Sequence, residues 1–227
     1  MTIIGACISP VESDRTMANV WFDVIEEMVF NDQVFSPIQS VGINEEFRTS
    51  FFWNCLSTLQ AGYCVCLYQT WEGSKENKRR VRRDRYEAII WLARKMGLRY
   101  ATLDTVSAQN MTEFDWHEFI ARESLIRIFS WIFNLDSAYA LFFQQPPRMF
   151  VQEADMDLPS PEACFQAESA EKCFIALKSW RARIAPQRNI KLCDALRAIC
   201  TETVRCYENF FSNMGVVGMF TIMSGKD

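Results

Sequence analysis

Histidine is almost absent from this sequence, which has one, His117, in 227 residues. A serine or cysteine nucleophile that needs a histidine base would have to use it. We interpret His117 as a surface residue near the start of a predicted helix. The eight glycines are scattered, and none forms a Gly-x-Gly-x-x-Gly or Walker pattern, so no phosphate-binding loop is predicted. We assign no catalytic residue.

Metal-site patterns are also missing. The nine cysteines include no Cys-x-x-Cys pair, and Cys64 and Cys66 would point about 200° apart on a helix, too far to share one ion. The acidic pairs Asp155 with Asp157 and Glu168 with Glu171 do not lie in an aspartate-rich helix. We therefore expect no metal or cofactor in this chain, and cysteines that are mostly small buried apolar residues of a reducing compartment.

Excess positive charge and long apolar runs are lacking too. The formal net charge is −4, so the chain as a whole is not built to neutralise phosphates. We found no apolar run near the eighteen or so residues that a membrane span needs, and the first residues lack the pattern of a signal peptide. These features predict a soluble intracellular protein that does not enter a membrane.

What the sequence has is apolar helical periodicity. Hydrophobic residues make up 49% of the chain, enough for a substantial core, and no stretch alternates as a strand would. We therefore predict an all-α multi-helix bundle, formed by a single domain over residues 1–227.

The central element is predicted between Trp116 and Pro147, a stretch whose first thirty residues contain neither glycine nor proline. Thr112, with Asp115 three residues later, predicts its N-terminal cap, and the pair Pro146 and Pro147 predicts its end. Its polar side chains form one narrow stripe, so a helix here would be buried on most sides.

Two acidic residues of this helix carry specific expectations. Glu123 and Arg127 are one turn apart in the order that favours an ion pair. Asp136 projects roughly opposite Arg127, at about 100° per residue, into the apolar side. We therefore expect an arginine or backbone amides to hold Asp136, the candidate arginines being Arg94, Arg99 and Arg148.

The remaining elements are predicted from periodicity and helix-end signals. Residues before about 16 are expected to be irregular. The first helix is predicted over 19–30, where these apolar residues are at helical spacing: Val20, Trp21, Val24, Ile25, Met28 and Val29. Two more are predicted over 44–71, with Asn44 as cap, and from Ser74 to Gly97. A helix that begins at Ser160-Pro161-Glu162 is predicted to run, broken or bent, to Ile184 and to be closed by Pro186, and a last helix is predicted over 189–212. The tail, including Val216 to Met223, is apolar.

The helix after Ser74 opens with a dense basic run. One interpretation is a nuclear-import signal or a phosphate-binding patch. The other, which we favour, is a solvated helix end, or one whose cations pair with acids elsewhere in an acidic protein. The residues concerned are Lys78, Arg79, Arg80, Arg82, Arg83 and Arg85.

Several of these residues together resemble a known family. The run Glu123, Arg127, Trp131, Leu135-Asp136, Pro146-Pro147, Glu153, Leu158-Pro159 and Ala167 is similar to the middle homology region of fungal transcription factors, closest to the branch with two-Cys two-His zinc fingers. The similarity covers about 47–180 and is strongest over 116–167. Phe165 departs from it, since the family usually has tryptophan there. The fingers themselves are not in this chain.

The resemblance implies a regulatory domain of a nuclear transcription factor, acting on RNA polymerase II transcription through protein contacts or small-molecule sensing, without catalysis. DNA binding and zinc would belong to a domain not present here. Structural roles are implied for Glu123, Arg127, Trp131, Asp136, Pro146, Pro147, Leu158 and Pro159.

Partners follow in part from composition. Protein partners or a homodimer are expected, for example through Val216 to Met223. Eighteen Phe, seven Trp and ten Met permit a cavity for a small apolar ligand, although we favour simple core filling. The alternative function is a helical small-molecule binding protein or enzyme of secondary metabolism.

Overall fold

A computed structural model describes residues 2–36, 47–185, 189–201 and 203–225. These residues form helices joined by short turns, and the β-structure among them is the isolated bridge between Asp157 and Lys191. The predicted all-α fold is confirmed. The chain divides into two compact units. The expectation of one domain over 1–227 stays a prediction.

The first unit takes in the described residues before 45 together with Thr49–Met96. Its helices are α1 (Thr2–Cys7), α2 (Glu12–Phe30), α3 (Ser50–Glu72), α4 (Lys75–Arg80) and α5 (Tyr86–Met96). A π-helical turn, Val81–Arg85, joins α4 to α5, and a 3-10 turn, Gln33–Phe35, follows α2. The expectation of an irregular start is wrong, since Gly5 lies inside α1 and Pro10 only separates α1 from α2.

Side-chain caps set the starts of α3 and α4. Thr49 Oγ1 accepts a hydrogen bond from the Phe52 amide at 3.2 Å, and Ser74 Oγ accepts one from the Asn77 amide at 3.2 Å. Asn44, the cap predicted for α3, lies outside the described residues. Gly97, with φ of 84°, ends α5 as predicted, because only glycine takes a positive φ without strain.

Close packing in this unit centres on α3. A Cβ at Gly62 would lie 2.6 Å from Ile89 Cδ1 of α5, so a larger residue there would require the Ile89 side chain to shift. The helix α2 buries Ala18, Phe22, Glu26 and Phe30. This is not the set that the apolar pattern of 19–30 suggests, because Val20, Trp21, Val24 and Met28 are exposed.

The second unit contains Phe47, Arg48 and the described residues from Gly97 onward. Its helices are α6 (Trp116–Phe143), α7 (Glu162–Phe165), α8 (Ala170–Ile184), α9 (Leu192–Cys200), α10 (Glu208–Ser212) and α11 (Val216–Ser224). Short 3-10 turns occur at Leu98–Tyr100, Met111–Glu113, Val151–Glu153 and Val204–Tyr207.

The helix α6 is the predicted central element, with a corrected cap. Asp115 Oδ1 accepts a hydrogen bond from the Glu118 amide at 3.1 Å, while Thr112 lies in the preceding 3-10 turn. The helix ends at Phe143, followed by Gln144 in the left-handed conformation and then the two prolines. By length and a mean hydropathy of 1.2 it can span a membrane, but 67% of that window is buried, the pattern of a core helix.

Two later predictions need correction. Ser160 is not a cap, and the helix after it is broken as expected: α7 is short, and Ser169 caps α8 by accepting from the Lys172 amide. Pro186 lies outside the described residues. The helix predicted over 189–212 is instead interrupted after Cys200. There Thr201 Oγ1 donates back to the Arg197 carbonyl at 2.8 Å, a local bond that competes with helix continuation.

Candidate functional site

The first candidate site surrounds Glu123, which is fully buried in α6. Glu123 Oε1 accepts hydrogen bonds from Arg127 Nε at 2.8 Å and from the Ser160 amide at 3.1 Å. The predicted ion pair between Glu123 and Arg127 is therefore present. The additional backbone donor comes from the segment that leads into α7, so one carboxylate holds two parts of the unit together.

Arg127 completes this connection. Its Nη2 donates to the Ser160 carbonyl at 2.8 Å, and its guanidinium lies 4.4 Å from the ring centre of Phe165. Such a cation–π contact adds to the ion pair. Phe165 is the position at which the sequence departs from the family pattern, and an aromatic ring of either type can stack in this way. Arg127 thus ties α6 to both ends of the stretch from Ser160 to Phe165.

Burial dominates the electrostatics of this site. It raises the pKa of Glu123 to about 7, although Arg127 and Ser160 act in the opposite direction. Burial, with the charge of Glu123 as a further cause, also raises the pKa of Cys164 to about 12 and of Cys173 to about 11. These thiols therefore stay protonated, which suits packing and not nucleophilic attack or metal ligation.

Asp136, on another side of α6, is 3% exposed. Its Oδ2 accepts hydrogen bonds from the backbone amides of Arg148 and Met149, both at 2.7 Å. The sequence predicted that an arginine or backbone amides would hold Asp136, and backbone amides are observed. One of them is the main-chain amide of Arg148, which was also a candidate arginine. This carboxylate anchors the chain where it turns after Pro146 and Pro147.

The remaining positions of the family motif lie in different surroundings. Trp131 is partly buried, with its ring 5.8 Å from that of Phe220 in α11. Leu158 and Pro159 are buried, and the Leu158 amide donates to the Ile190 carbonyl at 3.0 Å. Pro146 and Pro147 are exposed. The structural role that the resemblance implies for the motif stays a prediction.

Asp157 forms a third buried carboxylate centre, which sequence reasoning missed. Its Oδ2 accepts from the Leu103 amide at 2.8 Å, from Thr102 Oγ1 at 3.0 Å and from Asn189 Nδ2 at 3.1 Å. Its neighbour Asp155 pairs with Lys191. Both acids therefore have partners within the protein. In the part of the chain that is described, no three His, Cys, Asp or Glu side chains are grouped to hold a metal.

A pocket of about 480 Å³ lies beside this centre. Its wall is the loop 103–109, which Arg181 fixes by donating to the Leu103 carbonyl at 2.9 Å and the Val106 carbonyl at 2.7 Å. Ile184 and Asn189 complete the lining. The pocket mixes charged and apolar groups, so it differs from the wholly apolar cavity considered for a small apolar ligand. Binding of such a ligand stays a prediction.

The basic run of the first unit surrounds a fourth buried acid, Glu26. Arg80 Nε and Arg85 Nε donate to Glu26 Oε1 at 2.7 and 2.9 Å, and Gln69 Nε2 donates to Oε2 at 3.2 Å. Arg85 also pairs with Glu27. Burial alone would raise the pKa of Glu26, but the two arginines outweigh it and hold this pKa below its ordinary value.

The other cations of the run have different partners. Lys78 Nζ donates to the Trp71 carbonyl at 2.8 Å, Arg79 is exposed, and the exposed Arg83 lies 3.4 Å from Asp84. Arg82 is partly buried. We favoured a helix end that is solvated or whose cations pair with acids elsewhere in the chain. Such pairing is observed for Arg80 and Arg85. A nuclear-import or phosphate-binding role for the run stays a prediction.

Comparison with known proteins gives the family. The model of the fungal specific transcription factor domain matches residues 11–224. "Transcription factor verF" of Penicillium polonicum is 42% identical over 179 residues, 76% of this chain and 23% of the relative. "Zinc finger protein zas1" of Schizosaccharomyces pombe is 38% identical over 61 residues, 27% of this chain and 7% of that protein. No solved structure matches significantly.

The chain thus spans about a quarter or less of the length of these relatives. The family match extends over both compact units and includes every buried carboxylate described above. This chain belongs to the family of the fungal specific transcription factor domain and is a regulatory domain of a fungal transcription factor.

Proposed function

We propose that this domain acts in the nucleus, where it modulates transcription by RNA polymerase II through contacts with other proteins and without catalysis. The observation that carries the proposal is the family match over residues 11–224. The chemistry of the described residues agrees with it. Glu26, Glu123, Asp136 and Asp157 are buried and accept hydrogen bonds from the protein itself, which is how structural carboxylates are held.

DNA recognition and zinc binding belong, in this proposal, to a domain outside the present chain, of the two-Cys two-His type. The partial similarity to a zinc finger protein supports that choice of branch. The present domain would then change the level of transcription from genes bound by that DNA-binding domain, without itself recognising a base sequence.

A tethering experiment tests the central claim. The chain is fused to an unrelated DNA-binding domain and expressed in a fungal host with a reporter gene that carries the matching sites. We expect reporter transcription to change relative to the DNA-binding domain alone. If the fusion and the DNA-binding domain alone are present in the nucleus in equal amounts and give the same transcript level, a regulatory role is contradicted. A fluorescent fusion of the unmodified chain checks the nuclear location.

A salt titration of duplex DNA binding tests whether the chain itself touches DNA. We expect no binding at moderate salt, because the net charge is −4 and two arginines of the basic run are paired with Glu26. The control is a variant with Arg79→Ala and Arg83→Ala, which leaves those pairs intact. Sequence-selective binding that this variant loses would overturn the proposal that DNA contact lies elsewhere.

A second candidate function is small-molecule sensing. The pocket beside Asp157 favours it, because about 480 Å³ is within the range of small-molecule sites and Arg181 and Asn189 supply polar groups. Native mass spectrometry of the chain purified from a fungal host checks this. A bound molecule in stoichiometric amount would support sensing, or the alternative of a binding protein or enzyme of secondary metabolism. The bare polypeptide mass would speak against both.

A further inference from the structure

The helix α2 has apolar side chains on two opposite faces. One face is buried in the first unit through Ala18, Phe22 and Phe30. On the other side, five large apolar side chains are between 48% and 70% exposed, and we call them the outer stripe: Met17, Val20, Trp21, Val24 and Met28. At about 100° per residue, the outer stripe is centred roughly opposite the buried face. Packing within this unit therefore does not explain why the outer stripe is apolar.

The spacing within the outer stripe is that of a helix-pairing seam. Met17, Trp21, Val24 and Met28 follow one another at steps of four, three and four residues. This is the a and d spacing at which two helices pack along each other. A solvated helix face of a soluble protein carries charged and polar residues instead. The pattern thus indicates that another helix covers α2.

The size of the outer stripe agrees with a weak but specific interface. If a large side chain presents up to about 200 Å², five that are about half to two-thirds exposed offer roughly 500 Å². Two copies packed through this surface would remove about 1,000 Å² from water, the lower limit for a specific protein interface. The contact would therefore form and dissociate with concentration.

The order of residues in the outer stripe favours a second copy of the same chain as its partner. Reversing the helix about the point between Phe22 and Asp23, midway between Met17 and Met28, exchanges Met17 with Met28 and Trp21 with Val24. An antiparallel pair related by a two-fold axis would then place methionine against methionine and the Trp21 ring against Val24, a self-complementary arrangement.

Charge does not oppose this pairing. Two acids that flank the outer stripe, Asp23 and Glu27, have arginine partners within the unit, whereas Asp14, one turn before Met17, accepts a hydrogen bond from Ser9 Oγ at 2.9 Å. Arg80 Nη2 lies 3.4 Å from Asp23 Oδ1, and Arg85 pairs with Glu27. In two copies of α2 that approach each other, Asp23 and Glu27 are therefore already paired with arginines of their own chain.

We propose that two copies of this chain associate through α2, antiparallel about a two-fold axis, with Trp21 of each copy packed against Val24 of the other. The contact would join two copies of the regulatory domain independently of any ligand or DNA. Its surface lies outside residues 116–167, over which the resemblance of the sequence to the family is strongest.

Sedimentation equilibrium of the chain over a wide concentration range tests the association. We expect a monomer–dimer equilibrium whose dissociation constant rises at least about tenfold with Trp21→Glu, because the carboxylate would be buried against an apolar side chain. Met223→Glu is the matched control, since Met223 is 72% exposed and lies in α11, and it should leave the equilibrium unchanged. Circular dichroism verifies that each variant is folded.

A charge exchange tests the antiparallel arrangement. We expect Trp21→Glu and Val24→Lys each to weaken the dimer alone, and their mixture to recover it, because residue 21 of one copy faces residue 24 of the other. A mixture of Trp21→Glu with Trp21→Lys should not recover it.

Three results would overturn the proposal. They are a chain that stays monomeric at every concentration, a dimer lost with Met223→Glu but not with Trp21→Glu, and recovery only in the mixture of the two Trp21 variants. The first would assign the outer stripe to a different protein, the second would move the interface to α11, and the third would mean parallel pairing.

Discussion

Glu26 in the first unit and Glu123 in the second are both completely buried glutamates, yet they are held in different ways. Glu26 receives two arginines from a distant element, Arg80 and Arg85. Glu123 receives one arginine from its own helix and the Ser160 amide. The pKa of Glu26 is accordingly lowered, whereas burial raises the pKa of Glu123 to about 7. Two arginines on Glu26, against one arginine on the more deeply enclosed Glu123, thus accompany opposite shifts of the pKa.

The difference shows what each acid does. Glu26 neutralises part of a basic run that would otherwise repel itself, so its charge is needed. Glu123 accepts hydrogen bonds at the junction of α6 with the Ser160 segment, and its ionised form depends on one arginine. Substitutions at the partners of these acids, and at Asp136, test the contrast.

The largest effect is expected from Arg127→Met. It removes the guanidinium that pairs with Glu123 and leaves a buried carboxylate, which costs about 3–5 kcal/mol of unfolding free energy at pH 8. The cost should be smaller at pH 5, where Glu123 is protonated. Urea unfolding at the two pH values measures both. The control is Arg197→Met, which removes an exposed pair with Asp194 and should change stability by no more than about 1 kcal/mol. If Arg127→Met and Arg197→Met lowered the unfolding free energy equally, Arg127 would not be stabilising a buried carboxylate.

A smaller loss is expected from Asp136→Ala, because this acid binds backbone amides. The change leaves the amides of Arg148 and Met149 without this acceptor and should cost about 2–4 kcal/mol, because a buried unpaired group costs roughly 1–3 kcal/mol and the Arg148 amide is only partly buried. Thermal and urea unfolding measure it. Asp136→Asn, which keeps one acceptor oxygen, should retain part of the stability. An unchanged melting temperature in the alanine variant would refute this account.

Next come Arg80→Met and Arg85→Met made singly. Each leaves Glu26 with one arginine, so each should cost only about 1–2 kcal/mol, less than removal of the single arginine on Glu123. The double variant should lose more than the sum, because the carboxylate is then unpaired. Urea unfolding of the four-member cycle measures the coupling. Additive losses would mean that the two arginines do not share the charge of Glu26.

The most subtle effect concerns pH. The pKa of Glu123 rises from an ordinary 4.5 to about 7 on folding, so the folded state binds more protons between these values. The stability of the wild type relative to Glu123→Gln should therefore fall as pH rises through 4.5–7. Glu26, whose pKa is lowered, should behave oppositely: stability relative to Glu26→Gln is present above pH 4.5 and is lost as the pH falls. If the two stability differences, wild type minus Glu123→Gln and wild type minus Glu26→Gln, changed with pH in the same direction, the opposite pKa shifts of the two acids would be refuted.

These two acids also show how far sequence reasoning extends. The pair Glu123 with Arg127 is predictable because four residues along one helix bring both side chains to the same face, which is a local relation. The bonds from Arg80 to Glu26 span 54 residues, and no local pattern specifies them. The predicted cap of α6 is Thr112 and the observed one is Asp115, because both residues suit a cap and the choice depends on where the preceding turn ends.

Local sequence is enough to specify the helical class, the long central helix, the ion pair within it and the resemblance to the fungal transcription factor family. All of these depend on neighbours within a few turns or on a pattern of spacings. Tertiary packing is needed to specify which face of α2 is buried, which amides bind Asp136 and which acids receive the basic run. Those choices depend on contacts between distant segments, where burial makes an unpaired charge or an unpaired amide costly and so selects one arrangement.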